Sequence, residues 1–276
     1  MFADGAYETL ICDEPRPGVA RITLNRPGAM NAYTFGMTQD LLAAIAAFRD
    51  EDGLRALVLT GAGPRAFCTG GDIGGGGGGG GEHSRRVATQ PMGHGREMRD
   101  GMQAVVMALR RLDKPSIAMV RGYAVAGGLA LALGCDLRFA AASAKLGDTA
   151  SKAGLLPDEG GAWLFPRAMG LDRALKMSLL NEIYDARTAA GLGLVTEVVE
   201  DAALEDRVLE VAEALAAKAP LAVRLIKMMM GKAMETGLEA SMVDAQVAVM
   251  VTNPSADVRE GIAAFREKRA PKFDGR

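Results

Sequence analysis

The chain has 276 residues, of which 49% are hydrophobic and 24% are charged, as in ordinary folded proteins. Its 32 Lys and Arg residues against 34 Asp and Glu give a net charge of -2, so the charge balance does not favour binding to nucleic acid or to a membrane surface. The N-terminal residues lack the basic and apolar regions of a signal peptide, and the apolar runs are shorter than a bilayer span. The three cysteines are an odd number without paired spacing, so we expect a reduced, cytoplasmic protein.

Strands and helices are predicted in alternation over the first part of the chain. A strand at residues 22–24 ends at N-R-P, a helix begins near Thr38, and a second strand covers residues 54–60. The later predicted elements are a helix at residues 98–112 and strands at Ser116–Val120, 135–140 and 144–147. Alternation of this kind predicts an α/β fold with a parallel sheet covered by helices.

From about residue 200 onward the pattern is helical. The predicted helices cover residues 203–218, 221–234, 238–251 and 256–268. The change of pattern predicts an α/β core at residues 1–200 and a helical C-terminal region at residues 201–276.

Two glycine-rich turns follow predicted strands. Residues 121–136 read R-G-Y-A-V-A-G-G-L-A-L-A-L-G-C-D, in which Gly127 and Gly128 open an apolar helical run. Residues 66–73 read A-F-C-T-G-G-D-I and follow the strand at residues 54–60. A helix start after a glycine turn leaves backbone N–H groups unpaired and aimed at one point, although glycine there also suits tight packing of a buried helix. Two such turns predict two N–H donors for an oxygen atom that gains charge during a reaction.

Around both turns the chain resembles the crotonase superfamily, which contains the enoyl-CoA hydratases and isomerases. The family's A-F-x-x-G-x-D-[IL] segment matches residues 66–73, and its G-x-A-x-G-G-G segment matches residues 122–128 with Ala126 replacing the first of the three glycines. The likeness extends from L-N-R-P-G-A-M-N-A at residues 24–32 to E-G-I-A-A-F-R-E-K-R-A-P-K-F at residues 260–273. It therefore covers nearly the whole chain.

The resemblance implies a crotonase-like spiral of repeated β-β-α units with a C-terminal helical trimerisation region that packs on neighbouring subunits. The assembly would be a homotrimer or a dimer of trimers. The implied substrate is an acyl-CoA thioester, with coenzyme A entering as part of the substrate and no separate cofactor. The N–H groups of Gly71 and Gly127 would hold the thioester carbonyl oxygen and so stabilise enolate character at the adjacent carbon.

The residues that could transfer a proton depart from the family pattern. Related hydratases carry two glutamates at positions that here hold Ala130 and Ala150, so their usual water addition is not available to this chain. Asp158 in P-D-E-G-G stands where dienoyl-CoA isomerases, ring-forming synthases and an aromatic dehalogenase place an aspartate. We expect Asp158 to move the proton, with Glu159 as the second candidate. Alternatively, either acid caps the following helix.

Contacts with the rest of the substrate are also implied by the resemblance. Arg26 is placed to meet a phosphate, whereas the lysine that relatives often carry is replaced by Gly28. Asp72 is expected to act in a turn or cap beside the acyl-CoA site, and Trp163 to belong to the pocket wall or the core. The remaining expected contacts are Ala29, Thr69 and Ile73 against the nucleotide or pantetheine arm, and Phe265 and Lys268 reaching a nucleotide from the adjoining subunit.

Other kinds of site have little support. The only histidines, His83 and His94, lie beside the run of eight glycines at residues 74–81 and form no helical metal pair, so we expect no metal site. The glycine run cannot specify a packed conformation and is expected to be flexible.

Three functions remain open. The first is an isomerase or atypical hydratase that stabilises a thioester enolate and uses Asp158 for proton transfer. The second is an acyl-CoA hydrolase or a relative that cleaves carbon–carbon bonds with the same oxyanion site. The third is a non-catalytic acyl-CoA-binding protein that has lost both glutamates.

Overall fold

The computed structural model describes residues 2, 5, 7–73, 87 and 89–276. The strands are β1 Leu10–Arg16, β2 Val19–Leu24, β3 Ala56–Gly61, β4 Ala66–Cys68, β5 Ser116–Val120, β6 Tyr123–Val125, β7 Leu137–Ala141, β8 Lys145–Gly147, β9 Ile183–Asp185 and β10 Glu197–Val199. The helices are α1 Phe35–Asp50, α2 Gly93–Asp100, α3 Met102–Arg111, α4 Gly127–Gly134, α5 Gly161–Met169, α6 Leu171–Leu180, α7 Ala186–Gly191, α8 Leu204–Ala216, α9 Pro220–Ala233, α10 Leu238–Thr252 and α11 Ala256–Glu267.

The strands form two sheets, and from β3 to β8 successive strands belong alternately to one sheet and the other. The larger sheet has the order β1-β2-β3-β5-β7-β10, and the smaller has the order β4-β6-β8-β9. The pairs β1–β2 and β8–β9 are antiparallel and the other pairs are parallel. Each of the units β3-β4, β5-β6 and β7-β8 gives one strand to each sheet before helices return the chain. This confirms the predicted spiral of β-β-α units.

The larger sheet is buried because its central strands are continuous apolar runs. All residues of β3 and β5 are buried, as expected for parallel strands covered on both faces. The helix α4 is buried on every side, and all its residues belong to the packed interior. Because α4 follows β6 of the smaller sheet, its buried position fixes where the Gly127 turn lies.

Several helices and strands have bounds that differ from the predicted ones, for local reasons. Helix α1 begins before Thr38, since the Thr34 hydroxyl oxygen accepts the Met37 N–H at 3.1 Å. The helix predicted at residues 98–112 is two helices, separated at Gly101 by non-helical backbone (φ -102°, ψ -115°). A Cβ at Gly101 would lie 2.7 Å from the Glu97 carbonyl oxygen, so the junction requires glycine. The first strand, β1, has an irregular exposure pattern and was not predicted.

The predicted domain boundary at residue 200 stays a prediction, and the first long helix after it is still attached to the α/β core. Helix α8 packs against the larger sheet and buries residues including Leu204 and Val208 there. Helix α9 is therefore the first of the C-terminal helices that lies outside the core, and none of its residues is buried. Exposed apolar side chains are concentrated on these last helices, among them Met228, Met230, Met242, Met250 and Phe265. No helix among the described residues is long and apolar enough to cross a membrane.

The smaller sheet brings the two glycine turns together. Strands β4 and β6 are parallel neighbours, with Cys68 paired to Ala124, so the turns that follow them leave the same edge of the sheet. The helix start then packs directly against β4, since a Cβ at Gly128 would clash with the Cys68 carbonyl oxygen. Glycine is needed for this backbone-to-backbone contact.

We expect Gly128→Ala to lower the free energy of unfolding by about 1–3 kcal/mol, because the added methyl group must displace buried backbone. Urea unfolding measures the change. The control is Gly191→Ala at the end of α7, where a Cβ has no neighbour within 4 Å, so stability should be unchanged or should rise by up to about 1 kcal/mol. Equal losses in both variants would contradict the packing argument.

Candidate active site

Gly71 and Gly127 belong to two turns that come close to each other beside one cavity. A Cβ built on Gly70 (φ +92°) would lie 3.2 Å from the Gly127 nitrogen, which shows how closely the two turns approach. Gly71 and Ala126 both line the cavity. Gly127 is the first residue of α4, so its N–H has no acceptor in the helix. Among the described residues neither amide N–H donates a hydrogen bond within the protein.

The cavity has a volume of about 470 Å³ and mixed walls. Its apolar wall includes Phe35, Met98, Met102, Leu155 and Leu156. Its polar lining includes Tyr33, Thr69, Asp72, His94, Glu97, Asp158 and Glu159. An apolar chamber with a few convergent polar groups is the usual form of a small-molecule site.

Glu159 is the buried acid of this cavity. It is 7% exposed, and its Oε1 accepts the Tyr33 hydroxyl at 2.6 Å. Burial raises the pKa of Glu159 to about 7, the Tyr33 hydrogen bond opposes that rise, and the charge of Asp158 adds to it. Glu159 can therefore hold or release a proton near neutral pH.

Asp158, beside it, has a different environment. The residue is exposed and lines the same cavity, while its backbone carbonyl accepts Gln103 Nε2 at 2.8 Å. The cap of α5 is Gly160 (φ +119°), without a side-chain hydrogen bond. The alternative that Asp158 or Glu159 caps this helix is therefore wrong, and both acids remain candidates for chemistry.

The two alanines at the hydratase glutamate positions lie in different places. Ala130 is fully buried inside α4, whereas Ala150 lines the cavity. A methyl group thus stands at Ala150, where a carboxylate would face the substrate. Within the described residues the cavity lining contains four acids, which are Asp72, Glu97, Asp158 and Glu159.

Arg26 and Asp72 form an ion pair at the edge of the site. Arg26 Nη2 lies 2.8 Å from Asp72 Oδ2, and Arg26 Nη1 donates to the Ala32 carbonyl oxygen at 2.5 Å. These bonds tie the turn at Pro27–Ala29 to the segment that carries Gly71. The Arg26 guanidinium therefore links these two segments through its side-chain bonds. Its predicted contact with a phosphate stays a prediction.

The other predicted binding residues are divided between this cavity and distant surfaces. Thr69 and Ile73 line the cavity, and Ile73 is 73% exposed at its edge. Ala29 lies in the adjacent turn and is partly exposed. Phe265 is 85% exposed on α11, and Lys268 follows that helix in a left-handed conformation. Their proposed contact with a neighbouring subunit stays a prediction.

Trp163 does not line this cavity but packs, partly buried, against the hydrophobic core, which is the second of its two predicted places. Its ring lies between Arg167, 3.9 Å from the ring centroid, and Arg110 at 5.4 Å. That position faces a second cavity between α3, α5, α9 and α10. Glu159 precedes α5 and lines the first cavity, whereas Trp163 lies within the helix and lines the second.

The sequence reasoning missed Tyr33. Its hydroxyl meets Glu159 across 126 positions of sequence, and such a contact has no local signature. The available signal was its place directly after the N-A pair that ends the matched segment at residues 24–32.

His83 and the glycine run at residues 74–81 lie outside the described residues. Over the described part of the chain, no group of three or more His, Cys, Asp or Glu side chains could hold a metal ion.

A family model for enoyl-CoA hydratase/isomerase matches residues 14–276. The (E)-benzylidenesuccinyl-CoA hydratase of Thauera aromatica is 38% identical over 257 residues, covering 93% of this chain and 96% of the relative. The 1,2-epoxyphenylacetyl-CoA isomerase of Escherichia coli K12 is 35% identical over 263 residues, covering 94% of this chain and 96% of the relative. Among solved structures, an enoyl-CoA hydratase from Bacillus anthracis superposes with a TM-score of 0.89 at 30% identity, covering 98% of this chain and all of that chain.

The chain belongs to the enoyl-CoA hydratase/isomerase family and has the crotonase fold. It is an acyl-CoA enzyme of this family, as its resemblance to the family indicated.

We expect Ala126→Gly to raise the free energy of unfolding by about 1 kcal/mol. Ala126 has φ +50° and ψ -126°, a conformation that strains any residue with a Cβ by about 1–3 kcal/mol, whereas glycine costs about 0.5–1 kcal/mol in chain entropy. Chemical denaturation gives the value. Ala132→Gly, in the middle of α4, is the control and should lower stability by about 1 kcal/mol.

A second prediction concerns the dependence of stability on pH. The pKa of Glu159 is raised from 4.5 to about 7 in the folded state, so folding favours the protonated form. Its contribution is complete below pH 4.5 and is lost as pH rises through 7, by up to about 3 kcal/mol. The unfolding free energy of the wild type should fall across this range relative to Glu159→Gln. A constant difference between the two would contradict the raised pKa.

Proposed function

We propose that this enzyme binds a thioester carbonyl oxygen between the Gly71 and Gly127 amides and moves a proton on the acyl group with the Asp158–Glu159 pair. The reaction would be an isomerisation, or a hydration by a route other than the usual two-glutamate one. The observation that carries the proposal is two unbonded amides and two acids at one cavity. Each oxyanion donor would stabilise the transition state by about 2.7–4 kcal/mol.

The two acids differ in a way that suits proton transfer. Asp158 is exposed in the cavity and is placed to take a proton from the acyl chain. Glu159 is buried, and its pKa of about 7 allows it to return a proton near neutral pH. Neighbouring acids in contrasting environments are a common basis for dividing acid and base roles.

Isomerisation is favoured because the site lacks the hydratase acids. Ala150 presents a methyl group to the cavity, and Ala130 is enclosed in α4. Asp158 and Glu159 belong to one short segment, so proton removal and return from that segment need no activated water, whereas Asp72 beside Gly71 is paired with Arg26. One relative is named an isomerase and another a hydratase, and the site geometry supports the first kind of reaction better.

The apolar wall favours a bulky acyl group. Phe35, Met98 and Met102 supply ring and thioether surfaces that pack well against an aromatic group. Two relatives carry names with aromatic acyl-CoA esters, and we propose the same class here. The proposal uses coenzyme A as part of the substrate and no separate cofactor. It includes a trimer or dimer of trimers, supported by the exposed apolar side chains on the helices from α9 to α11.

The test compares Asp158→Asn with Glu159→Gln on a panel of aryl and straight-chain enoyl-CoA esters. Each change should lower kcat by about 10²–10⁴-fold, because proton transfer is lost, while the Kd for the CoA ester changes little. Asp172→Asn, an exposed acid in the first turn of α6, is the control and should leave kcat unchanged.

Product analysis on the same panel separates the rival reactions. Release of free coenzyme A would indicate hydrolysis, and a shortened acyl chain would indicate carbon–carbon cleavage. Binding without turnover of any ester would indicate a protein that only binds acyl-CoA. Full activity in Asp158→Asn would remove Asp158 from the mechanism.

A further inference from the structure

Tyr33 is bonded through its backbone to the segment that carries Gly71. Its N–H donates to the Gly70 carbonyl oxygen at 2.9 Å, and its carbonyl oxygen accepts the Asp72 N–H at 3.0 Å. These two bonds form a parallel bridge between Tyr33 and Gly71. They leave the Gly71 N–H directed away from Tyr33, because a parallel bridge of this register uses only the amide groups on either side.

The side chain of Tyr33 reaches the other two parts of the site. Its ring occupies the space beside Gly127, where a Cβ would lie 2.8 Å from the ring Cε1. Its hydroxyl lies 3.5 Å from the Cβ position of Gly71 and donates to Glu159 Oε1 at 2.6 Å. One residue therefore contacts the two glycine turns and the buried acid.

We propose that Tyr33 is a positioning residue that holds the Glu159 carboxyl group beside the Gly71 and Gly127 amides through its hydroxyl. This inference rests on the proposed function for the role of Glu159 in turnover. The hydroxyl donates to the ionised carboxylate and fixes the position of its Oε1.

The charged groups around Glu159 determine how its pKa changes when the Tyr33 hydroxyl is removed. Asp158 on the same segment raises the pKa of Glu159, and Tyr33 before α1 lowers it. Burial raises the pKa of Tyr33 well above its ordinary value, so its hydroxyl stays protonated and remains a donor. Burial also raises the pKa of Cys68 on β4 to about 12, which keeps that thiol neutral. Asp72, His94 and Glu97 are the other titratable groups of the described cavity lining.

The experiment is Tyr33→Phe, which keeps the ring and removes the hydroxyl. We expect kcat to fall about tenfold or more with KM little changed, since a hydrogen bond to a charged group is lost. The limb of the pH profile that reports Glu159 should move to higher pH by about one unit. The matched control is Tyr184→Phe, which removes a hydroxyl bonded to Glu182 at the same 2.6 Å outside the cavity, and should leave kcat and the pH profile unchanged.

A readout that does not depend on turnover separates this inference from the proposed function. The Glu159 pKa can be measured by carbon-13 NMR of labelled glutamate carboxyl groups, assigned with Glu159→Gln. A higher Glu159 pKa in Tyr33→Phe supports the positioning role even if Asp158→Asn proves active. An unchanged Glu159 pKa, or a loss of kcat that is equally large when Tyr33→Phe is made in the Glu159→Gln background, would overturn it.

Discussion

Two backbone segments approach each other at the site so closely that only glycine fits between them. Gly128 rests on the Cys68 carbonyl group, and Gly70 lies against the Gly127 nitrogen. The approach is possible because β4 and β6 are parallel neighbours whose chains turn at the same edge of the smaller sheet. The buried helix α4 holds this arrangement from below, so the direction of the Gly127 amide is set by core packing.

The short segment before α5 carries two of the acids that line the cavity, Asp158 and Glu159. With alanine at both hydratase positions, Glu159 meets the Cβ position of Gly127 directly, and Asp158 lines the same cavity. The burial that raises the Glu159 pKa comes from the same close packing that orients the amides. Amide geometry and acid strength are therefore coupled, and a change that loosens one alters the other.

The motifs at residues 66–73 and 122–128 predicted the family and, through the resemblance, the spiral of β-β-α units, because glycine-rich turns of this kind reflect local backbone requirements. Strand β5 was predicted at its observed bounds, since four consecutive apolar residues, Ile117 to Val120, lie between a proline and a glycine turn. The positions of Trp163 and Tyr33 could not be predicted in this way. Each depends on which side of a segment faces a distant part of the chain, and sequence spacing alone does not determine that direction.

The break at Gly101 divides one predicted helix into α2 and α3, which have different surroundings. Helix α3 is anchored in the interior by residues such as Val105 and Leu109 and adds Met102 to the cavity wall, whereas α2 contributes His94, Glu97 and Met98. Substitutions in α2 can therefore change the cavity wall without repacking the interior, because the non-helical junction at Gly101 separates the orientation of α2 from that of α3. Selectivity for new acyl groups is accordingly most accessible through exchanges in α2, with the catalytic centre and its supporting sheet retained.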